Sequence, residues 1–141
     1  MQIVSRIKHI ALELDRAVEH LYTTAALTAA EVELLVPLRY NDTPMTAIRL
    51  AEHLGMSRAG ISKTLSKLES RGLLARTPHP RDRRSALLTL TPDGIELVDD
   101  LFPRELRLHT QALAGLGSDR TSMITELDRL ARTLEIAREN R

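Results

Sequence analysis

The apolar residues of this chain change their period at Gly72. Before it, Ile61, Leu65 and Leu68 recur at four and three, the spacing of one helix face. After it, Leu73-Leu74-Ala75-Arg76 and Ala86-Leu87-Leu88-Thr89-Leu90 read as two short strands. A shorter helix precedes this pair: Thr46 is its N-cap, and Ile48, Leu50, Ala51 and Leu54 form an apolar face that stops at Gly55. Ser57 caps the next helix, and Gly72 stands where a left-handed residue would end it. Two helices joined by a short glycine-containing turn make a helix-turn-helix. Behind them, residues 77–85 form a hairpin loop carrying Pro78, Pro80, Arg81, Arg83 and Arg84. Proline cannot donate to a strand ladder, so these prolines predict an exposed loop. A basic hairpin behind a helix-turn-helix is a wing.

Charge is placed unevenly. Residues 56–84 hold eight Lys/Arg against Glu69 and Asp82, a net of +6, and the remainder holds twelve basic and seventeen acidic residues. A basic probe on an otherwise acidic chain is an electrostatic footprint for a polyanion. The competing reading of any charge run is a solvated face. Here the charge falls on the helix and loop that the fold would present.

The run from Leu50 to Arg76, with Arg81-Asp82-Arg83-Arg84-Ser85-Ala86-Leu87-Leu88-Thr89-Leu90-Thr91-Pro92-Asp93-Gly94, resembles the winged helix-turn-helix of the MarR family of bacterial transcriptional regulators. The specific parts are Asp82-x-Arg84 followed after four residues by Thr89-Leu90-Thr91, and the helix exit Leu68-Glu69-Ser70-Arg71-Gly72-Leu73. The match covers about a third of the chain, and the flanking helices agree in arrangement and length. It implies a mainly α fold with a small β-hairpin wing, in which residues 28–92 bind DNA. Residues 1–27 and 93–141 would form helical dimerisation segments.

The flanks support that division. Ile3, Ile7, Ile10, Leu14, Val18 and Leu21 predict a long amphipathic helix over 3–22. Thr28 and Glu31 have capping-box spacing before Val32, Leu35 and Leu38, with Pro37 expected to kink or shorten that helix. Thr91, Pro92 and Asp93 open another helix to about Ala114, with a kink expected ahead of Pro103. Gly115 to Ser118 break the pattern. In the last helix, about 119–139, Met123, Leu127, Leu130, Leu134 and Ala137 alternate four and three, the seam of a coiled coil. The family resemblance implies that the first and last helices of two chains interleave, so that paired recognition helices read a pseudo-palindrome one helical turn apart. A monomer with a helical cap is the alternative.

On this reading the second helix enters the major groove, where Arg58, Ala59, Gly60, Ser62 and Lys63 could reach bases. Arg58 leads, because a guanidinium matches guanine O6 and N7 bidentately. Gly60 carries no side chain to read with and would allow close backbone approach. Ser57, Thr46, Lys67 and Arg76 are expected at phosphates, which position without specifying sequence. The resemblance places Arg84 in the minor groove with Asp82 fixing its guanidinium, and Arg81 and Arg83 as backbone contacts or alternates. A narrow minor groove attracts arginine. An Asp–Arg pair that merely stiffens the hairpin is the competing reading.

By the same resemblance, a small phenolic or anionic effector would release a repressor from DNA. Candidate pocket residues are His9, Arg16, Tyr22, Arg39 and Tyr40, each also readable as an ordinary surface residue. The absence of cysteine excludes thiol sensing and disulfides, and the absence of Trp excludes the tryptophan of urate-responsive relatives. Five histidines are scattered without ligand spacing, so no metal or other cofactor is expected. No apolar run approaches the ~20 residues of a membrane span, and no signal-peptide pattern opens the chain, so a cytoplasmic protein is expected. No nucleophile–base set or phosphate loop suggests an enzyme. The rival class is a winged-helix module whose basic face meets an acidic protein; an activator of the same fold is equally compatible with these residues.

Overall fold

The structure, a computed structural model, describes residues 1–140, which divide into two compact units meeting after His109. The first begins with α1 (Gln2–Thr24), whose Val18 and Leu21 are buried while Ile3, Val4, Ile7, Ile10 and Leu12 remain exposed in the single chain. Next comes α2 (Ala29–Tyr40), opened by the expected capping box: Thr28 Oγ1 accepts from the Glu31 N–H at 3.2 Å, and Glu31 Oε2 accepts from the Thr28 N–H at 3.0 Å. Pro37 does not shorten this helix, which runs on to Tyr40. A proline three residues from a helix end removes one hydrogen bond near a terminus that is already under-bonded.

The winged helix follows as β1 (Met45–Thr46), α3 (Ala47–Leu54), α4 (Arg58–Ser70), β2 (Leu74–Pro78) and β3 (Ala86–Leu90). Thr46 caps α3 by accepting from the Arg49 N–H at 3.3 Å, and Ser57 caps α4 by accepting from the Gly60 N–H at 3.2 Å. Gly55 and Gly72 have φ of 63° and 70°, the left-handed conformation that lets the chain leave each helix. Leu50, Ile61, Leu65 and Leu68 are essentially inaccessible and meet Leu34 and Leu35 of α2 in one core.

The hairpin differs from expectation in two ways. β2 extends to Pro78, which pairs with Ala86, so Thr77 and Pro78 belong to the strand and the loop begins at His79. Sheet order is β1-β3-β2, which leaves β2 on an edge, where a proline costs no ladder bond on its outward side. The third strand, β1, was not anticipated. It is two residues long and pairs Met45 with Leu88 and Thr46 with Leu87, too short to show a period.

Beyond the wing, α5 (Pro92–Ala112) begins with Thr91 Oγ1 accepting from the Gly94 N–H at 3.1 Å, and the helix continues through Pro103. The second unit holds a 3-10 turn over Ala114–Asp119, with Gly117 at φ 56°, and α6 (Arg120–Glu139). Along α6, Met123, Ile124, Leu127, Leu134 and Ile136 are exposed. No single helix among the described residues is long and apolar enough to cross a membrane.

Candidate nucleic-acid interface

The apolar stripe of α4 fixes what its other side presents. With Ile61, Leu65 and Leu68 turned into the core, Arg58, Ala59, Ser62, Lys63, Ser66 and Lys67 are exposed. Gly60 has a local role: a Cβ there would lie 3.2 Å from Ser57 Oγ, the atom that caps the helix, so a bare residue keeps the cap tight. The capping hydroxyls of Thr46 and Ser57 accept with lone pairs and each retains a proton to donate. Ser66 and Ser70 instead spend their hydroxyl protons on the carbonyls of Ser62 and Ser66, at 3.0 and 2.9 Å.

A cleft of about 190 Å³ lies between α3 and α4, lined by Ala47, Ile48, Arg58, Ile61, Ser62, Leu65 and Arg76. It sets the start of α4 beside the first strand of the wing. Arg76, expected at a phosphate, donates from Nε to Glu69 Oε1 at 2.6 Å. That ion pair ties β2 to the end of α4 and neutralises Arg76 locally. Arg71 is committed as well. Its Nη1 donates to the Ala26 carbonyl at 2.6 Å and lies 3.5 Å from Glu31 Oε2, a carboxylate that is only 6% exposed. Ala26 is the one described non-glycine residue with positive φ, 54°, and the arginine holds its carbonyl in place. Six cations of the basic segment therefore remain outside the described ion pairs: Arg58, Lys63, Lys67, Arg81, Arg83 and Arg84.

The wing tip is organised by two acceptors. Asp82 Oδ1 accepts from the Arg84 backbone N–H at 3.0 Å, and its Oδ2 from the Ser85 hydroxyl at 3.3 Å. The expected grip of Asp82 on the Arg84 guanidinium is thus replaced by a grip on the Arg84 main chain. Asp at the first position of a turn bonds its own backbone two residues on, which is closer than a long side chain's end. His79 does the same one step earlier: its Nδ1 accepts from the N–H groups of Arg81 and Asp82, both at 3.1 Å. Arg81, Arg83 and Arg84 are left exposed on a loop whose backbone is pinned.

The proposed pocket residues do not converge within one chain. His9 lies in an open groove with Met1, Gln2, Ser5, Arg6 and Ile10, while Arg16 is exposed and paired with Glu13 at 2.8 Å. Tyr22 is half-buried, and burial together with its hydrogen bond to Glu105 pushes its phenol above the ordinary range. Only Arg39 and Tyr40 share a site. Arg39 donates from Nε and Nη2 to the two oxygens of Asp99 at 2.7 and 2.9 Å; Tyr40 Oη lies 3.4 Å from Asp99 Oδ1, and the Tyr40 ring packs tilted on Phe102 with centroids 5.1 Å apart. The hydrogen bond from Arg39 holds the Asp99 carboxyl below its usual range. Arg39 also lines a cleft of about 240 Å³ with Leu38, Asn41–Met45, Leu88–Leu90 and Ile95.

Neither Gly94 nor Arg71 stood out in the sequence as a structural determinant, and Thr91 stood out only as a helix cap. Thr91 Oγ1 donates to the Gly72 carbonyl at 2.6 Å while accepting from Gly94, joining the exit of α4 to the start of α5. The one signal available was the Thr-Pro-Asp-Gly run, which marks a helix start but not what stands opposite it.

Residues 27–86 match the family model described as "MarR family". The HTH-type transcriptional regulator PecS of Dickeya dadantii is 26% identical over 131 residues, covering 82% of this chain and 79% of PecS. Among solved structures, the PcaV transcriptional regulator of Streptomyces coelicolor, in complex with its natural ligand, is 28% identical with a TM-score of 0.71, covering 89% of this chain and 91% of that one. A variant of MarR from E. coli complexed with operator DNA shares the fold with a TM-score of 0.83 at 22% identity, covering 93% of this chain and 94% of that one.

Proposed function

Because this chain belongs to the MarR family of DNA-binding transcriptional regulators, we propose that it is a ligand-responsive repressor that binds a pseudo-palindromic operator as a homodimer. The observation that carries the reading is the exposed face of α4. Arg58, Ser62, Lys63 and Lys67 stand opposite a fully buried apolar stripe, so the fold presents a cationic helix rather than a core one. Arg58, Ala59, Gly60 and Ser62 meet base edges, with Lys63 able to reach base or phosphate. Ser57, Thr46 and Lys67 hold phosphates, and Arg84, flanked by Arg81 and Arg83, enters the minor groove.

The second copy is supported by the apolar side chains that each unit leaves uncovered, on the first half of α1 and along α6. Ile, Leu and Met at this density on helices are expected against a partner. The effector is supported by the PcaV relative, solved with its natural ligand. Since the five candidate contacts separate within one chain, a shared pocket would take residues from both copies.

The test is fluorescence anisotropy with labelled DNA from upstream of the gene itself, at several salt concentrations, beside a scrambled duplex. Selective binding with a log–log salt slope near −0.9 per neutralised phosphate is expected. No binding to either duplex at low salt would sink the DNA reading and favour an acidic protein partner. Sedimentation of the same sample checks the dimer.

A further inference from the structure

We infer that His79 is the positioning residue of the wing, and that its imidazole makes the wing's grip on DNA sensitive to pH. The inference rests on the DNA-binding reading above but begins from geometry that holds without DNA. Nδ1 of His79 takes two backbone N–H groups, from Arg81 and Asp82, both at 3.1 Å. Only a ring nitrogen with a free lone pair accepts, so the proton of the neutral ring sits on Nε2. Asp82, whose N–H is held by His79, in turn holds the Arg84 N–H and the Ser85 hydroxyl. One imidazole therefore anchors a chain of contacts that holds the backbone N–H of Arg81 directly and that of Arg84 through Asp82.

Protonation reverses the chemistry at this atom. An imidazolium is a donor at both nitrogens, and Nδ1–H would face two N–H groups. The other charged groups of the hairpin are Arg76 on β2, itself bound to Glu69 of α4, and Arg81, Asp82, Arg83 and Arg84 on the loop. Acid that charges the ring therefore unpins the loop. Arginines on an unpinned loop still attract phosphate, but a side chain must be aimed to enter a minor groove. The sign follows: selective binding falls with acid, while binding to any duplex does not.

The test uses the full chain and a duplex selected by the wild-type protein from a randomised pool, beside its scrambled counterpart, at about pH 8 and about pH 5.5. The preference of the wild type for the selected duplex should drop roughly threefold to tenfold, the worth of one lost hydrogen-bond contact. His79→Asn keeps an acceptor at nearly the same place and cannot titrate, so it should bind as the wild type does at the higher pH and stay flat. His79→Gln, whose acceptor sits one bond too far, and His79→Ala should be weak at both. An Asn variant that loses preference with acid as the wild type does would assign the effect to His9, His20, His53 or His109 and overturn the inference. Amide NMR of the free protein judges the wing separately: the Arg81 and Asp82 signals should move with the His79 ring during a pH titration and be still in His79→Asn. If those signals ignore the ring, the wing device is wrong even where DNA binds. If they follow it and no duplex is ever selected, the DNA reading fails and the wing device stands.

Discussion

Gly94 faces the carbonyl oxygen of Leu73 so closely that a Cβ built on it would lie 2.1 Å away. The same carbonyl accepts the N–H of Thr91 at 3.1 Å, so the first turn of α5 lies directly on the entrance to β2. The obstacle is backbone, which cannot rotate aside. Gly94→Ala should destabilise the chain by roughly 1–3 kcal/mol, the range for forcing an extra carbon into a packed site. Urea unfolding checks it, and an unchanged midpoint would mean that α5 can slide on the wing.

Removing Arg84 tests the wing and removing Arg58 tests the helix. Arg84→Ala should weaken DNA binding strongly while sedimentation shows the same oligomer. Arg58→Ala should relax preference at one position per half-site, costing about 1–3 kcal/mol there. A uniform loss on every sequence would instead make Arg58 a phosphate contact.

Lys67 and Arg76 were both expected at phosphates, and the structure separates them. Lys67 is exposed and outside every described ion pair, while Arg76 is bound to Glu69. Lys67→Ala should reduce the magnitude of the salt slope by ~0.9 per half-site, about 1.8 for a dimer that carries two copies. Arg76→Ala should leave the slope nearly unchanged. An equal reduction in both would show that Arg76 abandons Glu69 for DNA.

Arg71 should matter for stability before it matters for DNA. Without it, the buried Glu31 carboxylate and the Ala26 carbonyl each lose a charge-assisted partner. Because the arginine is about one-third exposed and water can replace part of it, Arg71→Ala should cost only about 1–2 kcal/mol. Combining it with Glu31→Gln should cost less than the sum of the two changes. Strict additivity in denaturation would mean that the two side chains do not act together.

The Arg39–Asp99 pair sets a pH dependence of definite sign. Asp99 is held below its ordinary value by the hydrogen bond from Arg39, so the pair contributes above the unfolded carboxylate range and is lost as pH falls through the folded value. Asp99→Asn should therefore be less stable than the wild type at neutral pH, and the two should converge below about pH 4. The gap is small, since both groups are solvent-screened. Curves that stay parallel down to pH 3 would remove Asp99 as the cause.

What could be read along the chain was whatever depends on neighbours within about one helical turn. The caps at Thr28, Thr46, Ser57 and Thr91 were legible because a hydroxyl reaches an N–H three residues on. The ends at Gly55 and Gly72 were legible because few residues tolerate positive φ. The buried stripe of α4, and with it the exposed cationic face, followed from helical period alone. Two-residue β1 carries no period, and the extension of β2 to Pro78 depends on its being an edge strand, which is a property of the sheet. Charge placement was legible, but its commitment was not. Arg71 meets Ala26 forty-five residues away, Arg39 meets Asp99 sixty away, and Gly94 meets Leu73 across a strand pair. Residue types announce what they can bond within reach of their own backbone. Which distant partner comes within a few ångströms is decided only when the helices and strands pack, and that packing chose which cations of the basic segment enter ion pairs and which stay outside them.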